Sequence, residues 1–416
     1  MVAGPVAARV DGERLWRRLM ELARFGATEK GGVNRQALSD EEIAARAELV
    51  GWAKAIGLRA SVDAAANLFL CLPGREPGLP PVLAGSHIDS QPTGGKFDGA
   101  FGVLAALEAI EAIIASEARP RRSIEVVSWM NEEGSRFAPG MMGSAVFTGA
   151  RRVEDILSIA DAAGTTVATA LERVLAAEPA LERRPLGFPT AGFVEAHIEQ
   201  GPVLELEGKT IGIVTGIQGK RTFRVEVNGQ ENHAGTSPRR VRRDALVSAV
   251  DIVQALHRAM WDDADVVRFT VGSFSVTPNA PSVVPARVVF SIDLRHPDAR
   301  TLRDLGDALP RLCRNAAGCC DVRVRELLHD PPLEFPREIR SVLSGAAQRL
   351  RILYMDIPSG AGHDARYLHY HCPTGMIFIP CKDGISHNEA ESITPDDAVA
   401  GARVLAETVF ALADAA

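Results

Sequence analysis

Apolar positions along the chain repeat with two different periods, and the alternation between them predicts an α/β protein. Helical spacing runs from Glu13 to Phe25, and Ser39-Asp-Glu-Glu42 reads as a capping box opening a helix toward Ile56. Arg59 to Leu72 alternates as one or two strands and stops at a Pro/Gly-rich turn, Pro73 to Pro81. Pro81-Val-Leu-Ala-Gly85 predicts a short buried strand, and Ala100 to Ala118 places Phe101, Leu104, Leu107, Ile110 and Ile114 at helical spacing. A strand-like run covers Ser123 to Met130 and an alanine-rich helix Ile156 to Ala177, before Pro185 and Pro189 break the pattern ahead of His197.

From there the order of elements changes. Thr210 to Ile217 and Thr222 to Val227 are rich in β-branched residues and predict strands. A helix over Arg243 to Met260, strands over Val266 to Val276 and Arg287 to Leu294, a helix over Thr301 to Ala316 and a strand over Asp321 to Leu328 follow. This βαββαβ-like order predicts a second domain over about residues 215–330. The return segment holds a helix near Arg337 to Leu350, glycine-rich Pro358 to Gly362, a strand Gly375 to Ile379, a loop bearing His387 and a closing helix from Pro395.

A chain of 416 residues, 46% hydrophobic and 24% charged, can bury the cores of two domains. A formal net charge of −7 argues against a nucleic-acid partner, which requires a basic face for phosphate. No apolar run reaches the roughly 18 residues that span a bilayer, and the amino terminus lacks the pattern of a signal peptide, so no membrane partner and a cytoplasmic location are expected. The six cysteines show no paired framework, and the adjacent Cys319 and Cys320 are expected to be core thiols.

Candidate chemistry concentrates in Gly85-Ser-His-Ile-Asp-Ser-Gln-Pro-Thr-Gly-Gly-Lys-Phe-Asp-Gly-Ala-Phe-Gly102, which joins the buried strand to the long helix. Imidazole and carboxylate are the ligand types that borderline divalent cations accept, so His87 and Asp98 read as half of a metal site. Asp89 could hold the imidazole in one tautomer. Equally, His87 and Asp89 could cap a turn and Asp98 the helix. A second cluster shifts the balance: Ser128-Trp-Met-Asn-Glu132-Glu133-Gly-Ser-Arg-Phe137 again follows a strand, and one glutamate can bind metal while its neighbour serves as general base. His197, in His-Ile-Glu-Gln-Gly201, and His387, in Ile-Ser-His-Asn-Glu389, complete a donor set sufficient for two metals sharing Asp98.

With His-Ala-Gly-Thr at 233–236, Pro-Asn-Ala at 278–280 and Gly-Ala-Gly-His-Asp-Ala at 360–365, these ordered segments resemble the zinc-dependent amidohydrolases of the M20 metallopeptidase superfamily. The likeness is to the carbamoylase branch: N-carbamoyl-L-amino-acid hydrolases, allantoate amidohydrolases and some β-ureidopropionases. It implies a two-domain exopeptidase-like fold, with a mixed-sheet catalytic domain over residues 1–214 and 331–416. The α+β (βαββαβ) lid and dimerisation domain, 215–330, would be inserted into it.

The resemblance also implies roles. One divalent ion would take His87 and His197, the other Glu133 and His387, with Asp98 bridging; zinc is the first expectation, with manganese, cobalt or nickel as alternatives. Such ions lower the pKa of bound water to about 7 in the best cases, and Glu132 would accept that proton. His233 would support the developing oxyanion from the neighbouring subunit of a homodimer, unless it caps the following helix. Gln200, Gln218, Asn279 and Gly362 would contact substrate, and Arg295 would grip its carboxylate, although Arg295 equally suits a pair with Asp293 or Asp298. Ser282, Glu389 and Arg239-Arg240 depart from the usual pattern and leave the substrate open. The expected reaction is hydrolysis of the ureido group of an N-carbamoyl-L-amino acid to amino acid, CO2 and ammonia. Allantoate or β-ureidopropionate hydrolysis is the near alternative; peptidase or aminoacylase activity, or a binding protein without catalysis, stands further off.

Overall fold

The computed structural model describes residues 6–415; residues 1–5 and Ala416, the two ends of the expected catalytic domain, lie outside the described residues. The chain divides into two compact units, one of Met1–Thr215, Phe335–Ile357 and Ala361–Ala416, the other of Gly216–Glu334 and Pro358–Gly360.

The first unit is built on a mixed sheet. Its middle runs in the order Thr374–Ile379, Gly192–Ile198, Val82–His87, Ile124–Trp129, all parallel to their neighbours. Every residue of these strands is buried, as expected of short apolar runs covered on both faces. Ala100–Ala115 lies against the sheet and against the closing helix Pro395–Asp414. It approaches so closely that a Cβ at Gly102 would lie 2.2 Å from the Ala196 carbonyl oxygen. Antiparallel strands extend both sides, Ile211–Ile217 beside Thr374–Ile379, and Leu68–Leu72 then Arg59–Val62 beyond Ile124–Trp129. From Val82–His87 the chain crosses first to Ile124–Trp129 on one side and later to Gly192–Ile198 on the other. That reversal opens a crevice at the carboxyl ends of these strands.

Gly85 makes the tight central pairing possible: its φ is +153°, and a Cβ there would lie 1.9 Å from the Val127 carbonyl oxygen. Gly85→Ala is therefore expected to lower stability by roughly 1–3 kcal/mol through overpacking, read as a lower urea midpoint.

Several expected elements differ. The helix expected over Ile156 to Ala177 is two, Val153–Leu157 and Val167–Ala177. Between them the Asp161 carboxylate accepts from Ala163 N at 3.0 Å and Thr165 N at 2.9 Å, and Thr166 caps the second helix. Local side-chain bonds outweigh alanine's helix propensity there. Ser39 caps Asp40–Ala55 by accepting from Glu42 N, but the Glu42 carboxylate reaches back to Leu38 N rather than to Ser39.

The second unit is an antiparallel sheet in the order Arg268–Thr270, Arg287–His296, Gly219–Asn228, Asp321–Asp330, with Phe274–Thr277 also pairing Arg287–His296. Alternate residues of Gly219–Asn228 are buried, so one face carries the core. There Phe223, Val225, Phe290 and Ile292 meet Ile252, Leu256, Leu302 and Leu309 from helices Ala245–Ala259 and Ala299–Ala316. The single strand expected over Val266 to Val276 is two pieces. Cys320 is buried as expected, whereas Cys319 is exposed, its thiol donating to the Arg242 carbonyl, so it is not a core thiol. Among the described residues no helix is long and apolar enough to cross a membrane.

Candidate metal centre

The crevice gathers side chains from strand ends that are distant in sequence. His87 ends its strand with Nδ1 at 2.9 Å from the Asp89 carbonyl oxygen. A carbonyl partner keeps the proton on Nδ1 and leaves the Nε2 lone pair available. That Nε2 lies 3.8 Å from Asp98 Oδ1 and 3.7 Å from Glu132 Oε2. His197 repeats the arrangement, with Nδ1 at 2.9 Å from the Ile198 carbonyl oxygen and Nε2 at 3.1 Å from Asp98 Oδ1. His387 Nε2 lies 3.3 Å from Asp98 Oδ2 and 3.4 Å from Glu133 Oε2. One oxygen of Asp98 thus faces His87 and His197, and the other faces His387. His87, Asp98 and His197 bring donor atoms within 4.8 Å of one another, as do Asp98, Glu133 and His387.

Local structure fixes these positions. Asp98 does not cap the helix that follows; Gly99 occupies the cap position at φ +63°, with no side-chain bond. Asp89 orients His87 through its carbonyl, while its carboxylate accepts from Glu132 N and Glu133 N, both at 3.1 Å. This second grip, which pins the turn carrying both glutamates, was not expected from the sequence. Gln200 donates from Nε2 to Asp98 Oδ2 at 2.9 Å, and its Oε1 is buried without a hydrogen-bond partner. It is packed into the cluster rather than solvated.

The electrostatics are those of crowded carboxylates. Burial, with the charge of Asp98, pushes Glu133 up to about 7. Burial, outweighing the opposing charge of His87, holds Glu132 well above the usual carboxylate range. Burial also disfavours ionised Asp98, yet its contacts with the His197 and His387 imidazoles hold it well below that range. The bond to Asp98 raises His387 to about 9. Carboxylates outnumber imidazoles here, so divalent cations would relieve the repulsion. Two further features fit them: the partnerless Gln200 acceptor, and the missing side chain at Gly99, where a Cβ would lie 2.4 Å from His87 Nε2.

Several site residues escape sequence reasoning. The buried Glu391 carboxylate accepts from Phe97 N and Asp98 N, both at 3.0 Å. Buried Arg35 donates from Nε to the Ile88 carbonyl at 2.7 Å, and its main chain exchanges bonds with Ser90, bracing the turn after His87. Behind His197, ring centroids 4.6 Å apart, lies His363; Glu195 there accepts from Ser86 Oγ at 2.7 Å and Ala365 N at 2.9 Å. His363 and Asp364 stand inside the Gly-Ala-Gly-His-Asp-Ala motif, the one signal that could have found them.

Of the expected substrate contacts, Gln200 and the exposed Gly362 belong to the first unit, and Gln218, His233, Asn279 and Arg295 to the second. Gln218 Nε2 and an Arg295 Nη atom both donate to the Gly360 carbonyl, at 2.9 and 2.8 Å. Arg295 also makes the alternative pair, with Asp293, at 2.8 and 3.1 Å. His233 is exposed on a short strand that pairs antiparallel with Val283–Val284, its Nδ1 accepting from Gly235 N at 3.0 Å and Thr236 N at 3.1 Å. It does not cap the following helix, where Asp244 does so. Asn279 adopts φ +58° in an exposed turn.

The sequence model of peptidase family M20/M25/M40 matches residues 83–411. The chain is 37% identical over 412 residues to an N-carbamoyl-L-amino-acid amidohydrolase of Rhizobium meliloti, covering 98% of this chain and 97% of that protein. It is 36% identical over 397 residues to the allantoate amidohydrolase of Escherichia coli strain K12, covering 94% and 96%. A solved amidase of the hydantoinase/carbamoylase family from Burkholderia multivorans superposes with a TM-score of 0.91 at 44% identity, covering 98% of each chain.

Proposed function

This chain belongs to peptidase family M20/M25/M40, a hydrolytic family, and from that premise we propose that it hydrolyses the ureido C–N bond of an N-carbamoyl-L-amino acid. The products are amino acid, CO2 and ammonia. The observation that carries the reading is the pair of donor sets sharing Asp98, with Glu132 alongside and outside both. Allantoate is the second candidate substrate, on the strength of the Escherichia coli relative.

His87 and His197 would hold one divalent ion, Glu133 and His387 the other, and Asp98 both; zinc is the first candidate, then manganese, cobalt or nickel. When bound, such ions supply Lewis-acid polarisation of a carbonyl and easier ionisation of water. Glu132 takes the proton of the attacking water and returns it to the departing nitrogen, a role suited to a carboxyl that burial holds high. Asp89 keeps Glu132 in place through its main-chain amide. His233 donates to the developing oxyanion, and Gln200, Gln218, Asn279 and Gly362 contact the substrate. We assign a homodimer joined through the lid unit. Supporting it, Asp321–Asp330 is an edge strand, and Val247 and Val250 on helix Ala245–Ala259 are 56% and 43% exposed.

Arg295 grips the substrate carboxylate, its fork already oriented by Asp293 and the Gly360 carbonyl. Losing one half of such a pair costs about 2–5 kcal/mol, roughly thirty- to several-thousand-fold in binding. The test is ammonia release from N-carbamoyl-L-amino acids, their carboxamides, allantoate, β-ureidopropionate, acyl-amino acids and dipeptides. The wild type should favour the ureido acids, and Arg295→Ala should lose turnover of the acid but little further turnover of its amide. Preference for dipeptides would overturn the substrate assignment; equal loss on acid and amide would make Arg295 structural.

A further inference from the structure

We propose that Glu391 is a positioning residue that fixes the separation of the two halves of the centre, and so decides whether two cations are held as a bridged pair. The proposal rests on the reading of Asp98 as the shared ligand. Glu391 is 4% exposed and makes no ion pair among the described residues; its carboxylate is spent on hydrogen bonds alone. Oε1 accepts from the main-chain N–H groups of Phe97 and Asp98, both at 3.0 Å, and Oε2 accepts from Ser386 Oγ at 2.9 Å. The same Ser386 hydroxyl lies 3.2 Å from Asp98 Oδ2. A single side chain therefore ties the backbone of the shared ligand to the residue that precedes His387, across 293 positions of sequence.

The loop is shaped to admit this carboxylate. A Cβ at Gly95 would lie 2.1 Å from Glu391 Oε1, so any side chain there would push Glu391 off the two amides. Outer bonds on the same loop do a different job: Glu389 accepts from Thr28 Oγ1 at 2.5 Å and lies 3.9 Å from Lys30 Nζ, with no bond to Asp98 among those of the described residues. The inner tie bears on the distance between His387 and Asp98, the outer one only on where the loop rests.

A carboxylate suits the inner position because three donors converge on it and it has nothing to donate. In Glu391→Gln one oxygen becomes an NH2 group facing the Ser386 hydroxyl, so that hydrogen bond reverses or breaks while the volume is kept. Groups that orient ligands from behind typically alter metal affinity ten- to a hundredfold.

The test titrates metal-free full-length protein with Mn(II), following stoichiometry by calorimetry and ion–ion coupling by electron paramagnetic resonance. Wild type should bind two ions with an exchange-coupled spectrum. Glu391→Gln should bind the first ion with near-normal affinity and the second about ten- to a hundredfold more weakly, with isolated-ion signals at two equivalents. Gly95→Ala, which displaces the carboxylate without removing it, should reproduce this, and Glu389→Gln should match wild type. Wild-type affinity and coupling in both Glu391→Gln and Gly95→Ala would overturn the proposal. So would equal loss of both ions with a lowered melting temperature of the metal-free protein, which would make Glu391 a fold residue. A wild type that binds one ion, or two without coupling, overturns the shared-ligand reading itself, and it does so before any substitution is made.

Discussion

Replacing Glu132 by glutamine is expected to lower kcat by roughly 10²–10⁴-fold, the usual contribution of a general base, while leaving metal content near normal. The amide has almost the shape of the carboxylate, and the main-chain bond from Glu132 N to Asp89 Oδ1 is untouched by the change. Neither donor set that shares Asp98 includes Glu132, and its Oε2 stands 3.7 Å from His87 Nε2, beyond hydrogen-bonding distance. What disappears is the ability to take a proton. Metal analysis beside steady-state rates checks this, and loss of metal in step with loss of rate would make Glu132 a ligand instead.

A comparably large effect is expected from Asp98→Asn, by a different route. Asp98 faces His197 and His87 with one oxygen and His387 with the other, and it accepts from Gln200 and Ser386 as well. Asparagine offers one oxygen and one NH2, so it can serve only one half of the centre and adds a donor opposite groups that already donate. At least one ion should be lost, and turnover with it. Binding to the native state alone raises stability by an amount that grows with the logarithm of free ligand over Kd. Added Zn or Mn should therefore raise the melting temperature of wild type far more than that of Asp98→Asn. Equal metal-induced shifts in the two proteins would show that Asp98 is not a shared ligand.

What the sequence made legible follows from how local each signal is. Buried parallel strands are short continuous apolar runs, so Val82–His87 and Ile124–Trp129 could be anticipated within a residue or two, and with them the loops that carry His87 and the two glutamates. The apolar spacing of Ala100–Ala115 and the proline that opens Pro395–Asp414 were equally local. The bracing around the site was not. Arg35 and Glu391 are charged residues in loops, where composition predicts solvent, and only the partners brought to them by the fold explain their burial. The helix break at Asp161 was visible in principle, since Gly164 and two threonines close behind Asp161 favour turn bonds, but the alanines between and around them masked it. The candidate donors stand in local motifs; the hydrogen bonds around them connect segments far apart in the chain.

The measurement that bears most directly on the whole account is ammonia release from an N-carbamoyl-L-amino acid by metal-free protein as Zn or Mn is added in known equivalents. No turnover is expected without metal, and a plateau is expected at two ions per subunit. Full activity in protein shown to contain no metal, or no release from any ureido acid at any loading, would contradict it.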